Sequence, residues 1–241
     1  MLKRVTTVRT QYTPQEMVDA FVEAWYGIFN AVPKKEQIGV IFGQWALETG
    51  MSASMYNNNI GNVKAPKNPS EEVEYCVLQN VWEIINGKKV ILSPEDPGSW
   101  FRSFQTLLDG VKFHFNFLKN NRYKIAWAAV EAGNPADFSK KLRQQGYYTA
   151  PEEQYTKALM SYFNKFVSSS YFDVAAKKLD DKINPKPVSL KKVLVGAVAP
   201  ETKLDQNYLE SNDQKIELTT YQKVQSFFSG AIKNIGEKLK R

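Results

Sequence analysis

Between Glu36 and Lys64 the chain holds one charged residue, Glu48. With 24% of the chain charged, a stretch of 27 residues would ordinarily hold about six. Ile38, Ile41, Phe42 and Trp45 recur at three- and four-residue steps, and Gly50 follows. That spacing predicts a helix that opens near Pro33 and stops at Gly50. Glu48 comes seven residues after Ile41 and three after Trp45. At about 100° per residue its carboxyl falls near the apolar face. A poorly solvated carboxyl resists ionisation, and the helix dipole in the last turn adds to this. Such a group suits general acid catalysis near neutral pH. The same pattern fits a helix-end Glu that reaches water or caps a neighbour, and the pattern alone leaves both open.

The surrounding segments read mostly as helices. Thr13-Pro14-Gln15-Glu16 is a start signal for a helix to about Asn30, with Val18, Phe21, Val22 and Trp25 on one stripe. Phe104, Leu107, Leu108, Val111, Phe115 and Leu118 form another stripe, ending near Lys119. Further helices are expected over 122–132, from Asn134-Pro135 to Gln145, and from Pro151 to at least Phe166. From Tyr56 to about Ser99 the helical pattern lapses. There Val73–Leu78 and Val90–Leu92 flank Asn86-Gly87, a strong hairpin signal, and a small β-lobe is expected. The fold class is therefore α+β, mainly α.

Composition narrows the chemistry. One Cys and one His exclude a disulfide framework within the chain and a Cys-rich zinc site, and make a His-based metal cluster improbable. No metal or cofactor is expected. No stretch of about 18 uncharged apolar residues suggests a membrane span. The basic start, Met1 to Arg9, lacks a following apolar run and does not read as a secretory signal peptide. The net charge of +7 is uneven. Residues 1–170 hold 19 basic and 16 acidic residues, against 13 and 9 in 171–241. A basic balance suits nucleic acid, an anionic membrane surface or an anionic wall polymer. No nucleic-acid-binding signature accompanies it, and nucleic acid is not the expected partner.

Other residues divide by context. Asn57-Asn58-Asn59 and Gly61-Asn62 suit sugar hydroxyls, but also suit plain turns. His114, between Phe113 and Phe115, reads as structural or partly exposed. Cys76 reads as a small buried apolar residue. Trp45 and Trp127 fall on helical stripes and read as core, whereas Trp82 and Trp100, in or beside the β-lobe, are candidate sugar platforms.

The ordered blocks Ala46-Leu47-Glu48-Thr49-Gly50, Asn58-Asn59-Ile60-Gly61-Asn62-Val63-Lys64, Glu83-Ile84-Ile85-Asn86-Gly87-Lys88, Phe101-Arg102-Ser103-Phe104, Gly146-Tyr147-Tyr148-Thr149-Ala150-Pro151 and Tyr155-Thr156-Lys157-Ala158-Leu159 carry a family likeness. Over about residues 13–166 they resemble the glucosaminidase-type peptidoglycan hydrolases of glycoside hydrolase family 73, within the lysozyme-like superfamily. The resemblance implies a helical lysozyme-like domain with a β-lobe beside its cleft. It implies that Glu48 is the catalytic acid and that Glu83 is a second acidic residue in the lobe. Tyr147 would line the cleft, with Asn59 close by. The sequence departs from the family at Gly61-Asn62, where an aromatic followed by Gly is usual. It departs again at Tyr148 and Ala150. The first departure resembles phage-type and transglycosylase-like variants.

The expected function is hydrolysis of β-1,4 glycosidic bonds in peptidoglycan, of N-acetylglucosaminidase type. Lytic transglycosylase or muramidase action on the same fold is the alternative, as is a non-catalytic wall-binding virion structural protein. A phage origin is expected, with action at the bacterial cell wall. The domain organisation is read as an enzyme domain over 1–170, a linker or docking segment over 171–200 and an extension over 201–241. Val224, Phe227, Phe228, Ala231, Ile232, Ile235 and Leu239 form an apolar stripe flanked by lysines. It is read as an amphipathic helix over 221–241 that docks on the body or on a virion or other protein partner, with a membrane surface ranked second.

Overall fold

A computed structural model describes residues 1–85, 88–148 and 150–185. Among these, seven α-helices and five short strands occur in the order β1, α1, α2, β2, β3, β4, β5, α3 to α7. The mainly helical α+β expectation holds.

Helix α1 spans Pro14–Phe29. The Thr13 hydroxyl accepts the Glu16 N–H, and the Glu16 carboxylate accepts the Thr13 N–H at 2.7 Å, a reciprocal cap. Helix α2 spans Lys35–Thr49 and ends on Gly50, whose φ of 58° needs a residue without a Cβ penalty. Helix α3 is Leu107–Lys119, capped by Thr106. Phe104, expected at its head, lies before it. A 3₁₀ turn, Asn121–Tyr123, leads into α4, Lys124–Glu131. Helix α5 is Pro135–Gln144, with Asn134 accepting the Asp137 N–H at 3.0 Å. Helix α6 is Glu152–Val167.

Aromatic side chains fill the space between these helices. Trp25 of α1 stacks on Trp127 of α4 at 5.7 Å, Phe115 of α3 meets both rings, and Phe21 sets its edge against Trp45 of α2. Trp45 and Trp127 are core residues, as their stripes indicate. Helices α2 and α6 pack antiparallel and very closely. A Cβ on Gly39 would lie 3.0 Å from the Phe163 and Phe166 rings, and one on Gly43 would lie 3.1 Å from the Leu159 carbonyl oxygen. Two glycines one turn apart thus let α6 lie almost on the α2 backbone.

The β-lobe is two sheets, and its pairing corrects the sequence reading. Strand β1 (Leu2–Arg4) runs parallel to β2 (Val73–Val77), which runs antiparallel to β5 (Trp100–Arg102). The hairpin is a separate pair, β3 (Trp82–Ile85) with β4 (Lys88–Ile91), in which Glu83 opposes Val90. The run at 73–78 is therefore not the partner of the run at 90–92. A short hairpin loop pairs the residues that immediately flank it, whereas β-leaning composition names no partner. Asn86-Gly87 itself lies outside the described residues.

The segment read as a linker or docking segment over 171–200 is described only as far as residue 185. Its first part is helix α7, Tyr171–Ile183, packed on α1 with Ala175 and Leu179 buried. Tyr171 stacks on Phe42 at 6.4 Å, and Lys178 and Lys182 pair with Asp19 and Glu23 of α1. The readings for Val193–Ala199, for the extension over 201–241 and for its stripe from Val224 to Leu239 lie outside the described residues. Among the described residues no helix is long and apolar enough to cross a membrane.

Candidate active site

Helix α2 delivers Glu48 in its last turn, one turn beyond the close approach at Gly43. Its side chain is buried, at 7% exposure, although it carries the one carboxylate between Glu36 and Lys64. Burial pushes the Glu48 carboxyl up to about 7, and the Tyr155 hydroxyl partly offsets this. Tyr155, from the first turns of α6, donates its O–H to Glu48 Oε1 at 3.0 Å. The α2–α6 glycine contact brings these residues together across 107 positions of sequence. Burial, and then the charge of Glu48, hold the Tyr155 hydroxyl well above its usual value, so it acts as a fixed donor.

Three more polar residues are buried on the neighbouring elements. Tyr147 is buried in the turn before α6, with its ring 5.3 Å from Tyr123. Its hydroxyl is pushed well above its usual value, first by burial and then by Glu48. Gln44, one turn before Glu48 on α2, is 1% exposed, and its Oε1 lies 3.1 Å from His114 Nε2. His114 on α3 is 2% exposed and is pushed down to about 4 by burial, so it is neutral. It is fully buried rather than partly exposed, because Gly61 leaves room for its ring. A Cβ there would lie 2.3 Å from His114 Cε1.

The loop after α2 answers the question about its asparagines. Asn57, Asn58 and Asn62 adopt left-handed backbone, which Asn tolerates better than most residues. Asn57 accepts the Val8 N–H and donates to the Thr6 carbonyl, both at 2.8 Å. Asn58 accepts from the Tyr12 hydroxyl and donates to the Phe104 carbonyl. Asn62 donates to the Glu48 carbonyl at 2.8 Å. Asn59, read as a substrate contact, is 2% exposed. It donates to the Val63 and Arg102 carbonyls and accepts the Val63 N–H. This corrects that reading. Its amide hydrogens are both spent on backbone oxygens, so Asn59 shapes the loop and has no donor left for a sugar.

Glu83 stands on β3, where its carboxylate meets Lys64 Nζ at 2.6 Å, both side chains being half-buried. Lys64 lies two residues beyond Asn62, so the loop that leaves Glu48 also carries the cation that holds Glu83. Trp82, beside it, is half-buried with the Lys89 ammonium 4.5 Å from its ring centre. Trp100 is half-buried, donates its indole N–H to the Pro94 carbonyl at 3.0 Å and packs on Tyr75. Cys76 is buried in β2, with its thiol pushed up to about 11 by burial. That is the state of a small apolar residue rather than a nucleophile.

The sequence reading assigned no role to Tyr155, Gln44 or the buried face of His114. Gln44 had one visible signal: it is a polar residue one turn from Glu48 in a stretch otherwise almost free of charge. Chemically, the arrangement is a carboxyl that is still partly protonated near neutrality and is steadied by a tyrosine, with a second, ion-paired carboxylate on the β-lobe.

Comparison with known proteins follows the same span. The model of a family described as "Glucosaminidase: Mannosyl-glycoprotein endo-beta-N-acetylglucosaminidase" matches residues 34–167. Among solved structures the chain is similar to a peptidoglycan hydrolase mutant from Sphingomonas sp. A1, at 20% identity, covering 68% of this chain and 99% of that one, with a TM-score of 0.44. It is also similar to a C-terminally truncated glycoside hydrolase domain of FlgJ from Salmonella typhimurium, at 19% identity, 65% and 99% coverage, and a TM-score of 0.43. A search of curated proteins gives no match.

Proposed function

The chain belongs to the glucosaminidase family of glycoside hydrolases, and from that premise we propose that it cleaves β-1,4 bonds of bacterial peptidoglycan, as an N-acetylglucosaminidase, with Glu48 as the general acid. The observation that carries this reading is the burial of Glu48 against Tyr155, with its carboxyl pushed up to about 7. Such a group holds a proton at the pH where a wall enzyme works and can pass it to the leaving glycosidic oxygen. As the C1–O bond breaks, the Glu48 carboxylate that results keeps the Tyr155 hydrogen bond. Positive charge then grows on the sugar ring. Glu83, held by Lys64 on the β-lobe, stabilises that charge or orients the attacking water. Water adds to C1, and its proton returns to Glu48, which closes the cycle. Tyr147 lines the site beside Glu48, and Trp82 and Trp100 give the lobe flat apolar surfaces for sugar rings.

The Lys64–Glu83 ion pair favours a second reading in which the substrate's own N-acetyl group attacks C1 and Glu83 acts only at a distance. Delivery in a phage particle is a further part of the proposal, resting on the Gly61-Asn62 departure from the usual family pattern.

The test uses purified cell wall. Glu48→Gln is expected to fold and to lose nearly all lytic activity, on the order of a thousandfold or more. Retained activity would sink the assignment. Mass spectrometry of the wild-type products then identifies the bond. A new GlcNAc reducing end supports the glucosaminidase reading, a new MurNAc end a muramidase, and anhydro-MurNAc a transglycosylase.

A further inference from the structure

The chemistry above gives no part to residues 5–10, which run between the β-lobe and the loop that follows α2. On one side they continue the pairing of β1 with β2. The Val5 N–H donates to the Tyr75 carbonyl and the Thr7 hydroxyl to the Val77 carbonyl, both at 2.9 Å. On the other side they hold the loop. The Thr10 N–H donates to the Met55 carbonyl at 3.0 Å, the Asn57 N–H to the Val8 carbonyl at 2.8 Å, and Arg9 pairs with Tyr56 in an antiparallel bridge. The Arg9 guanidinium donates to the Ala53 carbonyl at 2.6 Å, and the Asn58 N–H to the Thr10 hydroxyl at 3.2 Å. The Asn57 side chain completes the clamp, accepting the Val8 N–H and donating to the Thr6 carbonyl.

The far side of the loop is held by β5 and the residues after it. The Arg102 N–H donates to the Val63 carbonyl, the Ala65 N–H to the Trp100 carbonyl, and the Phe104 N–H to the Asn57 carbonyl. Strand β5 is in turn bonded to β2. The hydrogen bonds therefore close a ring that runs from residues 5–10 through β2, β5 and the loop over 53–65, and back to residues 5–10. Glu48 stands before one end of this loop, and Lys64, which holds Glu83 at 2.6 Å, stands at the other. The backbone that joins Glu48 to the ring is strained. Gly50, Met51 and Ser52 are all left-handed, with φ of 58°, 53° and 73°. Met and Ser take up this conformation at a cost, and it persists where the surroundings hold it. The contacts from Arg9 and Thr10, on Ala53 and Met55, come directly after it.

We propose that residues 5–10 are a positioning strap for the reaction: clamped by Asn57, they close the ring of hydrogen bonds around the loop between Glu48 and Lys64, and so fix where Glu83 stands relative to the acid. Asn57 is the positioning residue at its centre. With the strap loosened, the loop hangs from β5 alone and the left-handed turn at 50–52 can relax. Lys64 and Glu83 then move with the loop. A displacement of about 1 Å between groups that act together is enough to cost a large part of the rate.

The inference rests on Glu48 and Glu83 acting together, and its test separates the two. The variant is Asn57→Gly in the full chain. Asn57 has a φ of 48°, which Gly adopts without strain, so the change removes the clamp alone. The first arm measures distance. Cys76 is buried, so nitroxide labels go to cysteines introduced at Lys88 on β4 and Glu153 on α6, both exposed. The parent should give one narrow distance distribution, and Asn57→Gly should shift or broaden it. An unchanged distribution overturns the proposal whatever the enzyme does. The second arm is a double-mutant cycle on purified cell wall. Asn57→Gly should lower kcat about tenfold in the wild type and less than about twofold on top of Glu83→Gln, because the strap acts through the place of Glu83. Equal losses in both backgrounds mark a merely structural role and overturn the proposal. Should Asn57→Gly fail to fold, Thr7→Val, which removes only the bond to the Val77 carbonyl, is read in the same two ways. If Glu83→Gln alone keeps full activity, the role of Glu83 fails on its own evidence, and the label distance decides whether the strap holds the lobe.

Discussion

The role proposed for Glu48 rests on its position: a carboxyl in the last turn of a helix, inside the protein, with the Tyr155 hydroxyl bonded to it. Two pH dependences follow from its displacement from 4.5 to about 7. The acid must be protonated to act, so kcat on cell wall should decline as pH rises through about 7. Stability has the same sign. A carboxyl whose folded-state value is raised contributes fully below pH 4.5, where both states are protonated, and loses that contribution as pH rises to 7. Replacing it with a neutral amide removes the burden. Glu48→Gln should match the wild type in unfolding free energy near pH 4 and exceed it at pH 8, by up to about 3 kcal/mol. A constant difference across that range in calorimetry would contradict the burial. His114 works the other way. Its lowered value means that stability is present above pH 6.5 and is lost as pH falls toward 4. Glu48 was legible in the sequence because a lone charge in 27 residues stands out. Its partner was not, because Tyr155 looks like any aromatic residue on a helix.

Helices α2 and α6 make the site by lying unusually close. Gly39 and Gly43 lie on one face of α2, and the antiparallel α6 sets Phe163 against the first and Leu159 against the second. Tyr155 comes next along α6, and Glu48 next along α2. Gly43→Val would place its branches against the Leu159 carbonyl and side chain and push α6 outward. It should destabilise the fold by about 1–3 kcal/mol and lower kcat by loosening the Tyr155–Glu48 bond. A variant with full kcat would show that α6 does not position the acid. Helix boundaries were readable at this scale from Thr13, Gly50, Asn134 and Pro151, because caps and stops act on neighbouring residues. Strand partners were not. The asparagines that seemed suited to sugars instead bind backbone, and Asn57 alone clamps Thr6 and Val8 against the loop. Turn chemistry and sugar chemistry use the same amide, and only the fold shows which one has taken it.

The molecule as a whole extends past the residues that carry the family likeness. Helix α7 closes α1 with Ala175 and Leu179, and covers Phe42 with Tyr171. Its ion pairs with Asp19 and Glu23 are exposed at the lysine ends and add little, so its hold is chiefly apolar. Leu179→Ala should cost about 2–5 kcal/mol in denaturant unfolding. A chain ending at residue 185 should stay folded and active, whereas one ending at 170 should be markedly less stable; equal stability would make α7 dispensable. The sequence by itself determined the helical class, most helix ends and the place of Glu48 at the end of its helix. These are matters of periodicity, local capping and composition, which a linear chain displays directly. The tertiary structure alone decided that β3 rather than β2 pairs with β4, that α7 packs on α1, that Tyr155 bonds to Glu48, and that His114 meets Gln44 one turn away. Those contacts join residues up to 107 positions apart. They form because burying apolar helix faces brings distant segments together, and no local pattern records which segments those are.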